Sequence, residues 1–237
     1  MLSSLAIALG ACVATSARGS SPTPRSLAVL QATPTEPALA PPLAGSYAAL
    51  GASETYGVGA EPHTRGYAYL VAKALHTTHF VNEGIPGTTL DAAYQTELTN
   101  ALSIRPSLAT VFFGFNDLTA HVPRAAFLQD LHDLVITLRR ARTRVLIIGL
   151  PDLAKVPAAA HRIQKLHKIV MSWNAGMSDV AKQTGARFLD LRPYAGELAK
   201  HRDYISADGL HPSNAGHARL AQIVLKAIRA NHLWSAK

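Results

Sequence analysis

The sequence predicts one α/β domain, a three-layer α/β/α sandwich built on a five-stranded parallel sheet of flavodoxin-like type. Three observations predict it. The runs "LATVFFGF" at 108–115 and "RVLIIGL" at 144–150 are continuously apolar, as strands buried on both faces are. Such runs alternate with longer stretches of helical period, the strand–helix–strand pattern of a sheet covered on each side. The chain has 237 residues and is 48% hydrophobic, enough for one large core.

The elements follow in chain order. Residues 1–12, "MLSSLAIALGAC", carry an apolar stretch too short to span a membrane but suited to a signal-peptide core. Leu9-Gly10-Ala11-Cys12 resembles a bacterial lipobox, in which the cysteine becomes the lipidated first residue, although no Lys or Arg precedes the apolar run. The expectation is an exported protein, extracellular or associated with the cell envelope, with Cys12 as a candidate membrane anchor. Residues 13–45 are rich in Ala, Pro, Ser and Thr, a composition that buries no core and reads as a flexible linker. The folded domain is expected over residues 46–237. Ser46–Gly51 is its first strand, an apolar run stopped by glycine. Thr64–Thr77 has helical spacing, His79–Asn82 is a short strand and Leu90–Ser103 is amphipathic. Leu108–Phe115 is the third strand. Arg124–Ala141 places Phe127, Leu131, Leu134, Val135 and Leu138 on one helix face. Arg144–Leu150 is the fourth strand, and Ala158–Thr184 is a long helix with a bend expected near Gly176. Ala186–Leu191 is the fifth strand and Ser213–Asn231 the last helix.

Charged residues make up 16% of the chain, and the formal net charge is +8. A basic balance of this size fits a basic face and modestly favours an anionic polymer or membrane surface. The densest basic run, Arg139, Arg140, Arg142 and Arg144, lacks interleaved aromatics. It closes a helix, where cations complement the dipole, so no nucleic-acid partner is expected. Cys12 is the only cysteine, which excludes an intrachain disulfide and a thiolate metal site. No ligand cluster argues for a metal, and no cofactor is expected.

In open parallel sheets, ligands bind beyond the carboxyl ends of the strands. Ser53 lies just past the first strand, in "GASETYGVG", and Gly87 follows the second, in "NEGIPGTTL". Asn116 follows the third, in "FFGFND", and Asp208 and His211 follow the fifth, in "DGLHP". All fall on one edge of the sheet. A serine hydroxyl is a weak nucleophile until a neighbouring base takes its proton, and His211 is the candidate base. Asp208 precedes it by three residues, so a tight turn aims both side chains inward and the carboxylate holds the imidazole tautomer. Each residue has a plainer reading in isolation. Ser53 could cap a helix, Asn116-Asp117 could cap a turn, and Asp208-Gly209 is a common turn pair. His161, His167, His201 and His217 read as surface or packing histidines, and Trp173 as core.

Together these blocks resemble the SGNH, or GDSL, hydrolase family, named for Ser, Gly, Asn and His in four separated blocks. "GASETYGVG", "NEGIPGTT", "GFND" and "DGLHPSNAGH" match those blocks in order and spacing, over residues from about 46 to 232. The resemblance implies a metal-independent serine esterase that works through an acyl-enzyme. Ser53, His211 and Asp208 would form its triad. The Ser53 and Gly87 N–H groups and the Asn116 amide would form its oxyanion hole. The substrate stays open among short-chain acyl esters, acetyl groups on polysaccharides and lipid acyl chains; the open site typical of the family favours a small acyl ester or an acylated polymer, and a monomer is expected. The chain departs from the family's Gly-Asp-Ser-Leu, with Ala52 before the serine and Glu54 after it. Those two residues support a rival reading, a binding domain that keeps the fold without catalysis. The α/β-hydrolase elbow, Gly-x-Ser-x-Gly, fits less well because Thr55 holds its last position. A nucleotide-binding reading lacks a phosphate-cradling motif after the first strand.

Overall fold

The computed structural model describes residues 40–152, 154, 156 and 166–235. The expected signal segment, Cys12, most of the expected linker and residues 158–165 of the stretch expected as a long helix lie outside the described residues. Five strands form one sheet: β1 Leu43–Gly51, β2 His79–Asn82, β3 Pro106–Phe112, β4 Arg144–Ile148 and β5 Arg187–Leu189. All pairings are parallel, in the order β2-β1-β3-β4-β5. The direction of winding reverses between β1 and β3, and the crevice at such a switch point is where ligands bind in this sheet type. The described helices are α1 Ser53–Tyr56, α2 Tyr67–Ala74, α3 Leu90–Ser103, α4 Phe115–Thr119, α5 Arg124–Arg140, α6 Leu166–Thr184, α7 Ala195–Lys200 and α8 Asn214–Ala230.

Side chains alternate along each strand and feed two cores. Leu50, Val111 and Ile147 meet α3, α5 and α6, where the Phe127 and Trp173 rings pack at a tilt with centroids 4.6 Å apart. Tyr47, Leu108 and Leu146 meet α2 and α8 through Val71 and Val224. Each fully buried Leu, Ile or Val contributes about 1.5–3 kcal/mol. The apolar runs outlast their strands at "FFGF" and "GL" because Phe113 and Leu150 are also buried, beyond the strand ends. The stretch expected as one helix at Thr64–Thr77 is a 3-10 turn at His63–Arg65 followed by α2. The break falls at Gly66, whose backbone is extended and whose Cβ, if present, would lie 2.7 Å from the Cα of Gly57. α6 runs unbroken through Gly176, where a Cβ would meet Arg124 and Leu128 of α5 at 2.5 Å. That glycine serves close helix packing.

Polar side chains, some buried and some half-buried, fix the carboxyl edge of the sheet. Asn82 donates to the Thr55 carbonyl at 2.7 Å and accepts from the Gly84 N–H at 3.0 Å. Asn174 brackets Leu150, accepting from its N–H at 2.9 Å and donating to its carbonyl at 2.8 Å. Asn214 brackets Glu61 in the same way, at 3.0 and 3.1 Å. His217 is wholly buried. Its Nδ1 accepts from the Tyr67 N–H at 3.2 Å and its Nε2–H donates to the Val58 carbonyl at 2.9 Å. These partners fix one neutral tautomer, and burial lowers the pKa of the ring. Glu97 on α3 is also fully buried and accepts from the Gly51 N–H at 2.8 Å. Burial pushes its pKa up to about 9, so it is a neutral acid at pH 7.

Two outcomes are expected. His217→Ala leaves the Val58 carbonyl and Tyr67 N–H without partners and should cost about 2–4 kcal/mol in urea unfolding. A cost below that of Asn214→Ala would contradict this reading. The folded pKa of Glu97 lies above its unfolded value. Its contribution is therefore complete at acid pH and is lost as pH rises from the ordinary carboxylate range toward about 9. Glu97→Gln keeps a neutral acceptor, so its melting temperature should fall less than that of the parent between pH 5 and 8.5.

Candidate active site

β1 leaves the sheet at Gly51, where a Cβ would lie 2.2 Å from Thr55 Oγ1 and 2.5 Å from the Phe112 carbonyl. Only a residue without a side chain lets the chain turn there. Ser53 then opens the short helix α1, its carbonyl accepting from the Gly57 and Val58 N–H groups at 3.0 and 2.9 Å. Its hydroxyl donates to Glu54 Oε2 at 3.2 Å. The serine is therefore not a helix cap, and Ala52, which holds the cap position, makes no side-chain bond there. Among the described residues, no hydrogen bond joins the Ser53 hydroxyl to His211.

The turn carrying Asp208 and His211 is closed by a bridge between Ile205 and Pro212 and by the Ser206 N–H bond to the His211 carbonyl, 2.8 Å. Gly209 takes the left-handed conformation, φ +74°, that this turn requires. Asp208 Oδ2 meets His211 Nδ1 at 2.6 Å. Its Oδ1 accepts from Ser206 Oγ at 2.7 Å and from the Leu210 and His211 N–H groups at 2.8 and 2.9 Å. Burial pushes the carboxyl upward, but the bonds from His211, the two N–H groups and Ser206 outweigh it and hold the pKa well below the usual carboxylate range. The carboxylate is thus ionised at neutral pH and sits in one orientation. This turn packs directly on the serine segment. A Cβ at Gly59 would lie 2.3 Å from the Pro212 carbonyl and 3.2 Å from His211 Cβ.

Gly87 has φ +82°, and a Cβ built there meets nothing within 4 Å. The glycine serves the turn, and the space beside it is open. Asn116 lies on α4, and its side-chain amide donates to the Thr88 carbonyl at 2.8 Å. That bond links the exit of β3 to the loop that follows β2, and the amide keeps a second N–H. The adjacent Asp117 starts α3 by accepting from the Leu90 N–H at 2.9 Å. So Ser53, Gly87, Asn116, Asp208 and His211 all stand at the carboxyl edge of the sheet.

The histidines divide as follows. His217 packs in the interior, His167 is paired with Asp152 at 3.2 Å, and His201 stacks on Tyr204. His161 lies outside the described residues. Trp173 is core. Sequence reading missed Glu97, although it occupies the same buried face of α3 as Leu90, Ala93 and Ala101. A charged residue on an apolar helical row was the available signal.

A family model described as the GDSL-like Lipase/Acylhydrolase family matches residues 49–219. No curated protein matches the chain. Among solved structures, TesA is similar at a TM-score of 0.64 and 20% identity, over 78% of this chain and 98% of its own. A catalytic mutant of Axe2, an acetylxylan esterase from Geobacillus stearothermophilus, is similar at 0.65 and 18%, over 81% and 97%. The psychrotrophic esterase EstA from Pseudoalteromonas sp. is similar at 0.64 and 16%, over 79% and 98%. At these identities the likeness speaks for the fold, and the family model spans more than half of the chain. The chain belongs to the GDSL-like lipase/acylhydrolase family.

Proposed function

We propose that this chain is a serine esterase that cleaves carboxylic esters through an acyl-enzyme. The observation that carries the reading is the 2.6 Å bond between Asp208 and His211, in a turn packed against the loop that follows Ser53. In this reading His211 takes the Ser53 proton, and Asp208 stabilises the imidazolium that results. The serine oxygen attacks the acyl carbon, and the oxyanion is met by the Ser53 and Gly87 N–H groups and the free amide hydrogen of Asn116. His211 then protonates the leaving alcohol, and water, activated by the same histidine, releases the acid. The Ser53 hydroxyl must exchange its bond to Glu54 for one to His211 before attack. Catalytic hydrogen bonds are often long or poorly aligned until substrate is bound.

Export, read from residues 1–12, and anchoring through Cys12 belong to the same proposal. A second substrate reading, removal of acetyl groups from a polysaccharide, draws on the acetylxylan esterases among the similar structures.

The test is hydrolysis of p-nitrophenyl butyrate. Ser53→Ala should fall to background. Asp208→Asn should lose about 10⁴ in kcat, and Asn116→Ala about 10²–10³. Turnover that survives in Ser53→Ala would remove the serine from the mechanism.

A further inference from the structure

A half-open pocket of about 130 Å³ lies between the exits of β3 and β4, helix α7 and helix α8. Its position is informative. Ala52 and Glu54, on either side of Ser53, line it, and so do Leu210 and Pro212, on either side of His211. Ser53 and His211 themselves do not. Glu54 is the residue shared by serine and cavity, since its carboxylate also accepts a hydrogen bond from the Ser53 hydroxyl at 3.2 Å.

The walls are apolar, with Phe113, Phe115, Leu150, Leu198 and Leu220 among them. Three charged side chains reach the lining: Glu54, Glu197 and Arg219. Glu197 and Arg219 neutralise one another through two bonds of 2.7 Å. Among the described residues, the Glu54 carboxylate has no cationic partner. The cavity is therefore apolar inside, with one carboxylate lacking a cationic partner, Glu54, on its lining.

Size and charge select different features of a ligand. A cavity of about 150 Å³ holds a six-carbon ring, and this pocket, at about 130 Å³, is of comparable size. An acetyl group would leave most of it empty, whereas a chain of about four to six carbons would fill it. Apolar walls favour methylenes over water. A second carboxylate brought close to Glu54 would face like charge at low dielectric, where repulsion is strong.

We propose that this cavity is the acyl pocket of the site, that it takes a neutral, unbranched acyl chain of about four to six carbons, and that Glu54 is its selectivity residue, turning away acyl groups that end in a negative charge. The proposal rests on the esterase reading above. It accounts for the carboxylate beside the serine as a filter on the substrate.

The experiment has two arms on the full chain. In the first, kcat/KM is measured for p-nitrophenyl acetate, hexanoate, pentanoate and the monoester of glutarate, with the parent, Glu54→Gln and Ala195→Phe. Ala195 lines the cavity, and Leu198→Phe replaces that variant should its melting curve show it unfolded. Hexanoate should exceed acetate in the parent, and Ala195→Phe should reduce that ratio at least tenfold. The preference for pentanoate over glutarate should fall about tenfold or more in Glu54→Gln. In the second arm, calorimetry compares N-phenylhexanamide with N-phenylacetamide on Ser53→Ala, and the hexanamide should bind more tightly. Ester turnover with acetate preferred, or ratios unmoved by the variants, would overturn the pocket and leave the esterase standing. Tighter hexanamide binding without ester turnover would uphold the pocket and overturn the esterase. Loss of both would overturn both.

Discussion

A neutral imidazole holds the carboxyl edge together. His217 bonds at once to the Val58 carbonyl, in the loop after the serine helix, and to the Tyr67 N–H at the start of α2. It belongs to α8, whose own start follows directly on the turn bearing Asp208 and His211. One buried ring thus ties three segments that are distant in the chain. Gly59 approaches the Pro212 carbonyl closely because it carries no Cβ, which would lie 2.3 Å from that oxygen. Were the ring charged, it would lose the lone pair that Tyr67 needs, and the three segments would part.

The other strand exits are held by the same kind of bond. Asn82, Asn174 and Asn214 each bridge main-chain groups with a side-chain amide that offers both a donor and an acceptor. Irregular backbone at the end of a sheet has no ladder to satisfy it. An amide repairs that locally without adding charge. The apolar layers on both faces of the sheet then leave the ionised groups at the edge, where Asp208 keeps its charge through four hydrogen bonds. The division of labour is physical: neutral amides and one neutral imidazole build the platform, and a single turn carries the ionised Asp208 with its histidine partner.

Much of this was legible in the sequence. Strands and long helices announce themselves because a buried sheet and an amphipathic helix impose different periods on apolar residues; α3 matched its expected bounds, and α5 came within one residue. The short helices α4 and α7 were not legible, because a helix of five or six residues completes too few turns to show a period. The break at Gly66 depends on Gly57 being nearby in space, which no local pattern states. The positions of Ser53, Gly87, Asn116, Asp208 and His211 at one edge followed from strand order alone. What Glu54 does with its carboxylate did not, since adjacency in sequence leaves the direction of a side chain open. Glu97 was hidden for a related reason: a lone acid reads as a solvated face until its helix row is known to be covered.

The protonated carboxyl of Glu97 offers something more than stability. A carboxylic acid vibrates at an infrared frequency apart from ionised carboxylates and from the peptide backbone. Glu97 is hydrogen-bonded to Gly51, two residues before the serine, so any shift of that strand end alters the strength of the bond and with it the frequency. The fold therefore contains its own optical gauge, placed beneath the serine and needing no attached dye, through which movement of the site could be followed as a reaction proceeds.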